Sequence, residues 1–395
     1  MKKLKSDILI VGAGLTGFLA AQAFSDLGVN IIVIDRSSFL SKKLNNSDFR
    51  TVAVAEGSKQ FMEKLKIWSK IEKFAEPIKD IKVIDRTPQN KLDFYNPIPN
   101  KNLGYIVKNS DIKKIILSAI QKRKNVELIH NEDLKQIFYK NEEIICQFKN
   151  TEIKSNLLIA SDGKNSKVRN IFKKPIYSKK YNQKALVVNF HHEKNHNSTA
   201  FELFLDSGPL AILPMKKTYK SKYSSSLVWS HTPRFVKNLQ SLDKKLLSLI
   251  LQEKIYDFVG KIKDIDSVQS FDLSAHINSS FYEERVFYLG DAAHSIHPIA
   301  GQGWNIGVRD IEKCLEILKK NLSLGLNLQS LSMLRQYNER AYYDAFSLFQ
   351  ITDKLNLIFQ NDTFLSNNIR NIGFDLINKN KKIKNYIVNF AMGFN

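Results

Sequence analysis

Two segments of this 395-residue chain carry residue types at spacings that could do chemistry. The first is Gly12-x-Gly14-x-x-Gly17, which follows the apolar run Asp7–Val11 and opens a stretch of helical period from Leu15 to Leu27. In that setting the first glycine permits a tight turn and the second lets a pyrophosphate approach the backbone. The third lets helix and strand pack closely. The helix start adds N–H donors and the positive end of a dipole. Asp35 and Arg36 close the next apolar run, Ile31–Ile34, about twenty residues on, where a carboxylate would accept from ribose hydroxyls. The second segment runs from Tyr288 through Gly290, Asp291, His294, His297, Pro298, Gly301, Gln302 and Gly303 to Asn305, after another apolar run and before a long helical one. Asp291 suits hydrogen bonding to a sugar-alcohol chain. The backbone from Pro298 to Gly303 is small enough to lie against a planar ring, whose negative charge the following helix N-terminus would stabilise. Two dinucleotide-like elements this far apart fit one long cofactor, FAD, held at both ends.

The elements that must position these residues follow from periodicity. Asp7–Val11, the helix behind it and Ile31–Ile34 form a βαβ unit of the expected length, with Gly28 as the helix stop. Short apolar or alternating runs follow at 81–84, 126–129, 144–148 and 157–160, with a helix at 112–120. Between about 183 and 277 strand-like runs cluster (185–190, 200–205, 209–214, 225–230, 268–273), with one helical stretch near 242–251. That pattern predicts an antiparallel sheet. Beyond about 303 nearly everything has helical period. The predicted fold is therefore α/β. A doubly wound, Rossmann-like FAD-binding domain is built from 1–80, 101–175 and 281–345. A mostly antiparallel substrate sheet takes 81–100 and 176–280, and a C-terminal helical segment takes 346–395.

Composition narrows the class. Apolar residues make up 43% and charged residues 25%, which excludes wholesale disorder. Two cysteines, Cys146 and Cys314, support neither a disulfide framework nor a four-thiolate metal site, and no metal is expected. No signal peptide or transmembrane run is read. The net charge of +21 would suit an anionic surface, but the excess is mostly lysine spread along the chain. No aromatic and arginine interleaving points to nucleic acid, so the charge reads as membrane-surface attraction or compositional bias.

A third motif, Ala160-Ser161-Asp162-Gly163-x-x-Ser166-x-x-Arg169, makes a resemblance specific. With the other two in order, the chain resembles the ubiquinone-biosynthesis hydroxylases among the single-component flavin monooxygenases of the para-hydroxybenzoate hydroxylase fold. Asp48-x-Arg50-x-x-Ala53-Val54, Leu103–Val107, Gly208–Pro214 and Tyr337-x-x-Arg340-x-x-x-Asp344 extend the likeness over almost the whole chain. The resemblance implies an enzyme, an FAD-dependent aromatic-ring monooxygenase that hydroxylates a polyprenylated phenol. NADPH or NADH would be the transient electron donor and O2 the oxidant. It implies cofactor contacts from Asp162 and Gly163, and Arg50 and Arg169 are candidates for phosphate or ribose contacts. It also implies a cytoplasmic protein, peripheral on the inner face of the cell membrane, and membership of a ubiquinone-biosynthesis complex. The alternatives are a relative with another phenolic or isoprenoid substrate and a non-catalytic FAD-containing scaffold. Ser161 stands where relatives carry a small apolar residue, and no general base is identifiable.

Other clusters have plainer readings. His191, His192 and His196 are expected in an exposed turn between two strands. His294 and His297 are expected to pack and hydrogen-bond beside the ring loop. The Lys-rich stretch 379–384 reads as a solvated helix face or a membrane contact.

Overall fold

The computed structural model describes residues 1–39, 48–86, 90–99, 101–218, 221–360 and 363–394. In chain order, β1 (Lys2–Val11) leads through α1 (Leu15–Phe24) to β2 (Ile31–Asp35). Next come β3 (Thr51–Ala55), α2 (Glu56–Lys64), the single turn α3 (Trp68–Ile71), β4 (Glu76–Ile78), β5 (Asp80–Asp85) and β6 (Lys91–Tyr95). After them stand β7 (Gly104–Lys108), α4 (Asn109–Ile120), β8 (Val126–His130), β9 (Gln136–Lys140), β10 (Glu143–Gln147), β11 (Thr151–Ala160) and α5 (Lys167–Ile171). The middle of the chain holds β12 (Ile176–His192), β13 (Thr199–Leu205), β14 (Gly208–Met215), β15 (Ser224–His231), α6 (Pro233–Ser241), α7 (Lys244–Val259) and β16 (Ile262–Asn278). It closes with β17 (Tyr282–Glu283), β18 (Val286–Tyr288), β19 (His294–Ser295), α8 (Gly303–Ser323), α9 (Leu331–Gln360), α10 (Phe364–Lys379) and α11 (Lys381–Ala391).

The first sheet runs β17-β18-β11-β1-β2-β8, with β18, β11, β1, β2 and β8 parallel. Ile8, Leu9 and Ile10 of β1 are buried on both faces, which is why this strand reads as continuously apolar. Helix α1 packs against α4 and α8. Chain order reverses at β1, whose neighbours are β2 on one side and β11 on the other. That is the switch point where open α/β sheets bind ligands at their strands' carboxyl ends.

The second sheet, β19-β16-β12-β15-β14-β13-β5-β6, is antiparallel except for the β13–β5 pair. One face, with Leu186, Val188, Leu203, Leu210, Ile212, Leu227 and Trp229, packs on Val236, Leu239, Leu247, Leu251 and Ile255 of α6 and α7. The other face looks back toward the first sheet. A three-stranded sheet, β3-β7-β4, lies alongside. The α/β architecture with its antiparallel sheet and C-terminal helices is as the sequence predicts. Two features exceed the pattern. Strands β12 and β16 are 17 residues each and pair along their whole length across three register shifts. The histidine cluster is not an exposed turn. His191 and His192 end β12, with 3% and 1% exposure, and bond Ser224 and Ser225 of β15, while His196 is also buried.

Helix α9 lays buried residues every three or four positions, from Met333 through Tyr337, Ala341 and Ala345 to Phe359. Asp344 of α9 clamps Arg309 at 2.9 Å and also bonds Lys313, both on α8. Asp85 of β5 meets Arg370 of α10 at 2.8 Å, with both side chains buried. Thus α10 is fastened to the second sheet by a buried ion pair.

Candidate functional site: a two-walled cavity at the switch point

Register brings the three motifs together. Val11 pairs with Ala160, and Ala160 pairs with Tyr288, so β1, β11 and β18 end level with one another. The turns that leave them begin at Gly12, Ser161 and Gly290. Residues about 150 and 130 positions apart in sequence therefore share one sheet edge.

The glycines are placed for two different reasons. Gly12 has φ +110°, and a Cβ there would lie 2.3 Å from the Ser161 carbonyl oxygen. At Gly17 a Cβ would lie 1.8 Å from the Gly12 carbonyl oxygen. Both serve backbone packing. Gly14, the N-cap of α1, has φ −77° and nothing within 4 Å of where a Cβ would be. Its lack of a side chain leaves open space in front of the helix N-terminus. Gly303, the first residue of α8, is open in the same way.

Ser161 replaces the expected small apolar residue without loss, because its hydroxyl lies 3.1 Å from both the Val11 and Gly12 carbonyls. Asp35 braces the glycine turn from the neighbouring strand. One carboxylate oxygen accepts from Ala13 N–H and the other from Ser37 N–H, each at 2.7 Å. Arg36 beside it is exposed.

These ends border a cavity of about 670 Å³. Of the residues singled out from sequence, Gly14, Arg50, Gly163, Gly290, Asp291, Pro298, Gly301 and Gly303 line it. Gly12, Gly17, Asp35, Arg36, Asp162, Arg169, Gln302 and Asn305 are not among the residues that line it. Asp162 faces inward and accepts from Lys167 N–H at 2.6 Å and Val168 N–H at 3.2 Å, at the start of α5. Burial raises its pKa against those bonds. Arg169 is a buried tie, donating to the Lys164 carbonyl at 2.6 Å and lying 2.9 Å from His276 Nε2. Asn305 accepts from Ala55 N–H and Ser58 Oγ and donates to the Ala53 carbonyl at 2.8 Å, fixing β3 against the 298–303 loop. Gln302 donates to the Ala391 carbonyl of α11.

Sequence reasoning missed several residues. Asp310 of α8 accepts from Gly290 N–H at 3.0 Å and pairs with His294 at 2.6 Å, so His294 does bond beside the ring loop. A buried Asp twenty residues downstream carries no motif. Asp48 forks Arg50 with two 2.8 Å bonds, and Arg50 lies over the Phe271 ring at 4.9 Å. Burial alone would raise the Asp48 pKa, but the guanidinium outweighs it and the carboxyl titrates below its ordinary value. Lys164 and Asp291 also line the cavity. Desolvation lowers the Lys164 pKa and raises that of Asp291, where His294, Arg50 and Lys164 oppose the shift. The facing wall is apolar, with Ala185, Val187, Ala200, Ala211, Leu213 and Val228 of the second sheet, and among these stands Glu202. Elsewhere, His191, Asp264 and Asp266 place potential ligand atoms within 4.8 Å, the one such group among the described residues.

The donor set fits FAD. Two helix N-termini open onto one cavity with no side chain in front of Gly14 or Gly303, the cations Arg50, Lys113 and Lys164 line it, and the carboxylate of Asp291 feels both Arg50 and Lys164. A family model described as FAD binding domain matches residues 5–341. The chain is 28% identical to the ubiquinone hydroxylase UbiL of Rhodospirillum rubrum, over 98% of its own length and 90% of that protein. It is 23% identical to the 3-demethoxyubiquinol 3-hydroxylase of Escherichia coli across 100% of both chains. Among solved structures, p-nitrophenol 4-monooxygenase PnpA from Pseudomonas putida has a TM-score of 0.79 at 18% identity, covering 100% of this chain and 99% of that one. Because the family match spans all three strand ends that meet at the cavity, this chain belongs to the FAD-binding domain family.

Proposed function

We propose that the protein is an FAD-dependent, NAD(P)H- and O2-using monooxygenase that hydroxylates the ring of a polyprenylated phenol in ubiquinone biosynthesis. The observation that carries the reading is the cavity's asymmetry, with a backbone-rich polar wall facing an apolar sheet wall. The relatives named as ubiquinone hydroxylases supply the substrate class. In this reading residues 1–80, 101–175 and 281–345 bind FAD, and 81–100 with 176–280 form the substrate wall. Gly14 and the α1 amides hold the pyrophosphate, Asp35 the ribose, Asp291 the sugar-alcohol chain, and the Pro298–Gly303 backbone the ring. Bound FAD supplies hydride acceptance from NAD(P)H and activation of O2. The chain's own residues orient the ring, and the apolar wall excludes water from it. The test is NAD(P)H oxidation by the FAD-loaded protein, with and without a short-tailed prenylphenol. Stimulation with appearance of a hydroxylated product supports the reading. Indifference to every prenylphenol refutes the substrate class.

The same reading places the protein in the cytoplasm at the inner membrane face, where an isoprenoid tail resides. No helix among the described residues is long and apolar enough to cross a membrane. Helix α10 turns Ile369, Ile372 and Leu376 outward at 46%, 68% and 54% exposure. Lys379, Lys381 and Lys382 follow, and Tyr386 of α11 is 72% exposed. An apolar stripe beside lysines suits peripheral attachment to anionic lipid. Ile372→Ser with Leu376→Ser should reduce cosedimentation with anionic vesicles at moderate salt several-fold. Unchanged sedimentation would refute the stripe as a membrane contact.

A further inference from the structure

We infer that Glu202 is the catalytic base that accepts the proton of the substrate phenol, standing on the sheet wall opposite the ring loop. The inference rests on the reading above that the substrate is a phenol.

Register fixes where Glu202 points. Across the second sheet it pairs with Val83 of β5 and Ala211 of β14. Ala211 pairs with Val228, and Val228 with Val187. Direct cross-strand partners share a face. That row is otherwise apolar, and from Glu202 to Val187 every member lines the cavity.

Its neighbours on the same face locate it relative to the ring loop. Ala200, two residues before, packs in a cluster that includes Ala53, and Gly301 approaches Ala53 Cβ at 3.2 Å from where its own Cβ would be. Phe204, two residues after, packs in the cluster that holds Ile299 of the loop itself. Glu202 therefore lies between two residues whose clusters reach toward the loop, one through Ala53 of β3 and the other including Ile299.

Its half-buried carboxyl lines the cavity with no hydrogen bond or ion pair among the described residues, and so is free to meet a ligand there. The charged groups lining the other walls of the cavity are Asp48, Arg50, Lys113, Lys164, Asp272 and Asp291. At the level of Glu202 the flanking strands offer only Val83 and Ala211. Burial alone pushes its pKa up to about 7, close to where a base works best at neutral pH.

The step balances without a further reagent. The phenol O–H bond breaks and its proton passes to the carboxylate. The electron pair stays on the oxygen as phenolate, which enriches the ring carbons that accept an electrophilic oxygen. As the product rearomatises, the hydrogen of the hydroxylated ring carbon moves to the phenolate oxygen, and the proton held by Glu202 leaves to solvent, which regenerates the base.

The test uses the FAD-loaded protein, a short-tailed prenylphenol and its methyl ether, which has no proton to give. Glu202→Gln keeps shape and FAD binding. It should slow single-turnover hydroxylation by roughly 10²–10⁴-fold and remove the acid limb of the wild-type pH–rate profile. Wild type should bind the phenol at least about tenfold more tightly than the ether, because the ether leaves the carboxyl unpaired. Glu202→Gln should erase that preference. Equal affinity of wild type for phenol and ether overturns the proposal and needs no variant. So does a Glu202→Gln rate within threefold of wild type, and in that case the hydroxylase reading stands. If neither compound perturbs the flavin spectrum or stimulates NAD(P)H oxidation, the substrate reading itself has failed.

Discussion

The glycine fingerprint contains a built-in control, because its members sit under different constraints. Gly17→Ala places a carbon 1.8 Å from a backbone oxygen, about 1.6 Å short of ordinary contact at 3.4 Å, and 2.7 Å from Ser161 Oγ. Neither the turn nor α1 can yield that far cheaply, so the cost belongs at or above the upper end of the roughly 1–3 kcal/mol typical of overpacking. Gly14→Ala meets nothing within 4 Å and needs only φ −77°. Its cost to the unliganded fold is that of a poorer N-cap, about 1 kcal/mol or less. In the proposed reading, however, its methyl group stands where the cofactor phosphate approaches α1. Losing one hydrogen bond to a charged group is worth about 1.5–3 kcal/mol, a fall in FAD affinity of roughly 10–100-fold. Urea unfolding of the apoprotein and fluorescence titration with FAD separate the two effects. Gly17→Ala should fail mainly in the first assay and Gly14→Ala in the second. Wild-type FAD affinity in Gly14→Ala would refute the placement of the pyrophosphate at α1.

Three further outcomes follow from the packing and the titrations. Arg370→Met leaves the buried Asp85 carboxylate only its 3.1 Å pairing with Arg86 and should cost about 1–3 kcal/mol in urea unfolding; a loss below about 0.5 kcal/mol would show that the pair does not fasten α10. Burial holds His276 to about 3 and His192 and His297 to about 4, against 6.5 for the free group. Their folded values lie below the unfolded one, so their contribution is complete above pH 6.5 and is lost as pH falls toward 4. Each adds a slope of up to roughly 1.4 kcal/mol per pH unit, and a urea midpoint flat between pH 6.5 and 4.5 contradicts this. Asp310→Asn removes the carboxylate that faces both His294 and Gly290 N–H. It should weaken FAD binding several-fold and lower apoprotein stability by about 1–3 kcal/mol, and unchanged FAD titration would count against a positioning role.

What was legible in the sequence is what backbone geometry dictates locally. A tight turn between a buried strand and a helix demands glycines at fixed offsets, so Gly12, Gly14 and Gly17 announce themselves. The Gly290–Asn305 loop does the same because a ring-facing backbone tolerates few side chains. What was not legible depends on register between distant strands. Glu202 lies in the strand-like run 200–205 with no motif to single it out, and only its pairing with Ala211 and Val83 turns it into the cavity. The histidines at 191 and 192 read as a turn because β12 continues past two bulges that no periodicity signals. Asp162 and Arg169 were legible as important, but not as a helix-start acceptor and a buried tie. That distinction lies in the turn after β11, which folds Asp162 back onto the start of α5, and in the burial of Arg169 within α5. The first half of β12 escaped notice because it is mostly polar, and it pairs almost entirely with the second half of β16, from Ile176 opposite Asn278 to Lys184 opposite Asp272.

The central claim is that oxygen activated in this cavity enters the ring of a prenylated phenol. Incubation of the FAD-loaded protein with NAD(P)H, a short-tailed prenylphenol and isotopically labelled dioxygen tests it most directly. The account predicts a ring-hydroxylated product carrying one labelled oxygen atom, formed at a rate that tracks NAD(P)H consumption. Product whose new oxygen derives from water, or flavin reduction that yields only hydrogen peroxide with every prenylphenol, would contradict it.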